Sequence, residues 1–84
     1  MSESVQAALK LYLRLTPRER EVANLIADGL SNRAIAKHMD IKRGVVANML
    51  GRIYVKMDYQ VYDGSNVRVL LANAVNLVRQ NALG

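Results

Sequence analysis

Thr16, Pro17 and Glu19, in the stretch LTPRERE, form a helix start that leaves the chain little choice. Thr16 fits the N-cap and Pro17 the first helical position, where a missing N–H does no harm. Glu19, third in the helix, can reach back to the N–H of the cap. Gly29 fits the position just beyond the helix end, and Ser31 caps again at once. The next stretch, SNRAIAKHMDIKRGVVANML, reads as two short helices around a tight break at MDI. The first carries Ile35, Ala36 and Met39 and is expected to end at Met39. The second, over about 43–57, carries Val46, Leu50, Ile53 and Met57, spaced 4, 3 and 4, which matches a period of 3.6 residues. Ile41 is placed to plug the core from the turn.

The flanks are helical in pattern too. Val5, Ala8, Leu9 and Tyr12 recur at i, i+3, i+4 and i+7 and predict an amphipathic helix over 3–13, capped by Ser2 or Ser4. DYQVYDGS reads as a loop with an Asp-Gly turn signal. Ser65 or Asn66 is expected to cap a last helix with Leu70, Leu71, Ala74, Leu77 and Val78 apolar. QVY is too short to argue for a strand. The expectation is an all-α chain: four core helices forming a helix-turn-helix bundle over 15–84, and an extra N-terminal helix over 1–14 that joins the same unit.

At 84 residues, with 51% apolar residues, the chain suits one small globular domain of modest stability. No cysteine is present, which excludes disulfides and thiolate metal sites, and one histidine leaves little for acid–base or metal chemistry. No nucleophile–base pair can be picked out, so an enzyme is the poorest class and neither a metal nor a cofactor is expected. No apolar run approaches the roughly 20 residues that span a bilayer. The acidic start, with Lys10 and Arg14 breaking the apolar stretch, does not resemble a signal peptide, which makes the cytoplasm the expected location and no membrane a partner. His38 is expected to be a surface residue. Met39, Met49 and Met57 are expected to pack the interior, and Tyr54, Tyr59 and Tyr62 to pack the loop or a dimer surface.

Charge placement is more informative than the net +5. Arg33, Lys37, Lys42, Arg43, Arg52 and Lys56 face a single acid, Asp40, within 32–56, while the rest of the chain holds six basic and six acidic residues. The whole excess lies in one compact segment, as the footprint for a polyanion would. A basic solvated helix face is the plainer alternative.

Two short helices around a turn, the second longer and basic at its start, make the helix-turn-helix arrangement. The residues go further. LTPREREVANLIADGLSNRAIAKHMDI resembles the opening of the LuxR/FixJ-type, or GerE-like, DNA-binding domain. The similarity rests on Leu15, Thr16, Arg18, Glu19, Gly29, Ser31, Asn32, Ile35, Ala36 and Ile41, and continues at Ile53, Lys56 and Met57. It covers about 15–58. Region 4 of sigma factors, a related helix-turn-helix, matches Ser-Asn-x-x-Ile-Ala less closely. The chain departs from the family where DNA is read: the usual Ser, Thr, Lys and His fall on Lys42, Val45, Ala47 and Met49. By the resemblance the base-touching positions are Ala47, Asn48 and Gly51, so the family's basic base-reader is missing. The loop before the last helix is longer than usual.

The resemblance implies a bacterial transcription regulator bound to double-stranded DNA, with another regulator or RNA polymerase as further partners. With Val46 at zero and 100° per residue, Gly44, Asn48, Gly51 and Val55 lie opposite the core stripe, flanked by Val45, Ala47 and Arg52. Two glycines on one helix face cost about 1 kcal/mol each against alanine, which points to a surface lying close against something. Val45, Ala47, Asn48 and Gly51 are the expected base-readers. Ser31, Asn32, Arg33, Lys37, Lys42, Arg43, Arg52 and Lys56 are the expected phosphate contacts. In the family the last helix tends to dimerise, and Val67, Leu70, Leu71, Ala74, Val75 and Val78 are candidates here. The rival use of that surface is to bury the N-terminal helix. Fourteen residues ahead of the motif are too few for a receiver or sensing domain, so control is expected from expression level, a partner or a parent chain. The competing function is a protein-interaction module, a decoy or anti-activator, that pairs with a related regulator and has lost specific DNA reading.

Overall fold

A computed structural model describes residues 2–57 and 64–82, and among these the regular structure is helical throughout. The elements are α1 (Glu3–Arg14), α2 (Pro17–Ala27), α3 (Asn32–Met39), α4 (Arg43–Lys56) and α5 (Gly64–Ala82). The local start and stop signals act as the sequence predicts. Ser2 Oγ accepts the Val5 N–H at 3.2 Å and caps α1. The capping box of α2 is complete: Thr16 Oγ1 accepts the Glu19 N–H at 3.2 Å, and Glu19 Oε1 accepts the Thr16 N–H at 2.8 Å. Ser31 Oγ accepts the Ala34 N–H at 3.2 Å to start α3.

The helix ends on either side of α3 share one device. After α2, Gly29 takes φ +90°, its N–H bonds to Ile26 O, and the Leu30 N–H bonds to Leu25 O. After α3, Asp40 takes φ +57°, its N–H bonds to Lys37 O, and the Ile41 N–H bonds to Ala36 O. Both are left-handed terminators that satisfy the last carbonyls of a helix. Asp tolerates this region better than most non-glycine residues. Asp40 is thus the hinge of the tight turn and, at the same time, the only acid in the basic segment. Ile41 follows it and packs against the core.

The core is built from Leu15, Val22, Ala23, Ile26, Ile35 and Val46, with further residues from α4 and α5. In α4 the stripe of Val46, Leu50, Ile53 and Met57 is buried as expected, and Met49 packs the interior beside it, as Met39 does from α3. α5 packs against both α2 and α1, and α3 packs against α4. Leu13 is exposed at the end of α1.

The last helix begins earlier than the sequence signals suggest. It already runs from Gly64, so Ser65 and Asn66 lie inside it and do not cap it. The loop signal, with Tyr59 and Tyr62, falls largely outside the described residues. Tyr54 is half-buried against the core.

Three arginines outside the basic segment tie helices together. Arg20 donates to the carbonyls of Tyr12 and Leu13 at 3.0 and 3.3 Å and stacks over the Tyr12 ring at 5.3 Å. It thereby satisfies the C-terminal carbonyls of α1 with a cation, the sign that a helix C-terminus prefers. Arg79 donates to Asn24 Oδ1, Asn24 O and Asp28 Oδ1. Asn24 in turn donates to the Tyr12 hydroxyl at 2.9 Å, so α1, α2 and α5 share one polar network. Arg68 is the third, and it reaches α3.

Candidate nucleic-acid interface

Arg68 of α5 donates to the Leu30 carbonyl at 2.6 Å and to Asn32 Oδ1 at 2.7 Å. The N-terminus of α3 is therefore held from behind by α5. Asn32, expected at a phosphate, has its side-chain oxygen engaged in this internal bond. Ser31 is exposed, with its hydroxyl oxygen used as the cap. Arg33 and Lys37 of α3 are exposed.

In α4 the outward face is the one the sequence predicts. Gly44, Val45, Ala47, Asn48, Gly51, Arg52 and Val55 are all exposed. Around Gly44 and Gly51, a Cβ would meet no atom within 4 Å. Packing inside the chain therefore requires neither glycine, and α4 gives up helix propensity there with no gain to the fold. Lys42 is the N-cap and makes no side-chain cap bond, so the family's missing Ser is not replaced in that role. The first turn of α4 is left with Lys42 and Arg43, both exposed.

Lys56 is the correction. Its Nζ lies 2.6 Å from Glu19 Oε1, and Glu19 is the one charged residue among the described residues that is buried. Burial pushes the Glu19 carboxyl up. The bond from Lys56 and the bonds at Thr16 outweigh it and hold the carboxyl below its ordinary value. Lys56 therefore balances a buried carboxylate and does not stand free at the rim for a phosphate. It joins the C-terminal end of α4 to the start of α2, 37 residues away. The Glu and Lys of the family-like motifs are thus partners in a structural pair. Arg33, Lys37, Lys42, Arg43 and Arg52 enter no ion pair among the described residues. They are the free cations of the segment.

The expected dimer surface is also corrected in part. Val67, Leu71 and Val75 are 2%, 0% and 2% exposed and serve the core of their own chain. Leu70 is 39% exposed, while Ala74 and Val78 are half-buried. Leu70 and Ala74 line an open cleft of about 400 Å³ between α1 and α5, together with Ala7, Leu11 and Leu77. α1 thus takes part of the surface that the sequence offers to a second copy. One contribution was not foreseen, the Arg68 brace, which has no local signature; Val55 lies on the outward face of α4, as the helical period predicts, and is 78% exposed.

Among the described residues no group of three or more metal-ligating side chains lies together, and no helix is long and apolar enough to cross a membrane. The family described as "Bacterial regulatory proteins, luxR family" matches residues 13–60, more than half of the chain. The transcriptional regulatory protein DesR of Bacillus subtilis is 43% identical over 44 residues, which is 52% of this chain and 22% of DesR. The tetrathionate response regulatory protein TtrR of Salmonella typhimurium is 46% identical over 46 residues, 55% of this chain and 22% of TtrR. The nitrate/nitrite response regulator NarL of Escherichia coli K12 is 43% identical over 44 residues, 52% of this chain and 20% of NarL. The similarity thus spans only about a fifth of these relatives, 20–22% of their length. No solved structure matches the chain. With α3, its turn and α4 inside the matched segment, the chain belongs to the luxR family of bacterial regulatory proteins and carries that family's DNA-binding helix-turn-helix.

Proposed function

We propose that this chain regulates transcription in the bacterial cytoplasm by laying α4 in the major groove of a preferred DNA site. The observation that carries the reading is the outward face of α4. It is small at its centre, open over both glycines and flanked by cations that enter no ion pair among the described residues. A bare helix face is what close approach to base edges needs, and rim cations are what phosphates need. Val45, Ala47, Asn48 and Gly51 face the bases. Lys42, Arg43 and Arg52, with Arg33, Lys37 and the N-terminus of α3 at Ser31, take the backbone.

The test is salt dependence. The logarithm of affinity should fall linearly with the logarithm of salt concentration, and Arg43→Ala should reduce that slope by about one on specific and random duplexes alike. A loss confined to one operator base pair would move Arg43 from the backbone set to the base-reading set. An unchanged slope would remove it from the interface.

Two copies are proposed to act together on DNA. The free apolar strip on α5, chiefly Val69 and Leu70, is small because Val67, Leu71 and Val75 are buried at home. Pairing is therefore expected on DNA and not in free solution. Sedimentation at micromolar concentration should show a monomer, while footprinting should show two half-sites about one turn, ~34 Å, apart. Protection of a single half-site would remove the dimer.

A further inference from the structure

We propose that the site read by α4 is an A·T tract, recognised through the C5-methyl groups of thymine by Val45 and Val55 on either side of an adenine held by Asn48. This inference rests on the reading that α4 enters the major groove, and it names what the helix reads there.

Paired recognition of guanine O6 and N7 in the major groove calls for arginine or lysine. At the centre of the face stand Gly44, Asn48, Gly51 and Val55, and none is a cation. Arg52 is at the flank, and Lys42 and Arg43 are at the helix start. The one side chain at the centre able to make a pair of hydrogen bonds is Asn48, whose amide matches adenine N6 and N7. The glycines before and after it leave room for so short a side chain to reach a base edge, since a Cβ at either would stand in open space.

The face also carries exposed apolar groups. Val45 is 42% exposed and Val55 is 78% exposed. Single exposed valines are ordinary on a protein surface. Here both lie on the face with Asn48, Val45 three residues before it and Val55 seven after. The one apolar group that the major-groove edges of the bases offer is the thymine methyl. Ten residues of helix separate the valines, about 15 Å at 1.5 Å per residue, so their contacts fall on different base pairs of one short site. Methyl, adenine and methyl then fall within one short tract.

The experiment deletes the methyl alone. Duplexes are selected from a random pool by the whole chain, and the preferred duplex is resynthesised with deoxyuridine in place of every thymine. Uracil pairs as thymine does and lacks the C5-methyl. Losing one buried methyl contact should weaken binding about fourfold, and two about 15-fold. Val45→Ala with Val55→Ala should bind the thymine duplex as weakly as the wild type binds the uracil duplex, and should no longer distinguish the two. Both valines are exposed, so the variant keeps its core, and a thermal melt confirms it. Equal binding of thymine and uracil duplexes by the wild type would overturn the proposal and leave DNA reading by α4 standing. Selected sites rich in G·C would overturn it as well. No preference between the selected duplex and a random one would overturn the groove reading on which it rests.

Discussion

Replacing Gly51 by leucine lowers DNA affinity to the level of random DNA while the fold stays intact or gains stability. The two effects have separate causes. Gly51 sits in the interior of α4 and is exposed, and a Cβ there would meet no atom within 4 Å. Leaving glycine for a good helix former stabilises an exposed helix interior by about 1 kcal/mol. In the groove the same side chain projects from the centre of the reading face and holds the helix away from the bases. Loss of close approach removes the specific increment, roughly 10³-fold or more. Asn48→Ala is the gentler companion. It should cost about 1–3 kcal/mol on the preferred site, relax the preference at one base pair and leave random DNA nearly unchanged, since no charge is lost. A protein-interaction module would give another pattern: Asn48→Ala silent on DNA, and Gly51→Leu breaking a protein complex. Binding of both variants to specific and random duplexes, with melts as the folding control, separates the two.

Lys56→Met is expected to do the reverse, lowering stability and sparing the salt slope. Met keeps most of the apolar stem but leaves the buried Glu19 carboxylate without its cation. Breaking a buried pair at one partner costs about 3–5 kcal/mol; with the Lys56 side chain 30% exposed to water, about 2–3 kcal/mol is expected here. The pH dependence has a definite sign. In the wild type the Glu19 carboxyl lies below its ordinary value of 4.5. The pair therefore contributes fully above that value, and its contribution is lost as pH falls through the lower, folded value. Urea melts at pH 7 and pH 3 should show the gap between wild type and Lys56→Met shrinking in acid. Glu19→Gln with Lys56→Met should recover part of the loss at pH 7. A gap that does not change with pH would mean that Lys56 acts by packing alone. A salt slope reduced by one in Lys56→Met would return the residue to the phosphate set.

The contrast between Lys56 and Gly51 shows where the reading from sequence stops. Thr16, Glu19, Gly29 and Ser31 could be assigned because caps and terminators act within a few residues, where neighbouring backbone supplies the partner. The outward face of α4 could be assigned because helical period alone orders it. Lys56 could not, because a helical wheel gives its direction and says nothing of what lies there. Its partner is 37 residues away, Asn32 and Arg68 are 36 apart, and Arg79 and Asn24 are 55 apart. The surplus apolar residues of α5 were ambiguous for the same reason. Val67, Leu71 and Val75 answer to the core, Leu70 and Ala74 to the cleft beside α1, and composition cannot apportion them. Asp40 in its left-handed turn gave no signal of its own beyond being tolerated there.

Amide chemical shifts of the isotope-labelled chain, followed while a selected duplex is added, test most directly whether α4 and its turn are the surface that meets DNA. Shifts are expected to concentrate at Ser31–Arg33 and at Lys42–Val55, with the cleft between α1 and α5 nearly unmoved. Shifts centred on that cleft, or none along α4, would contradict it.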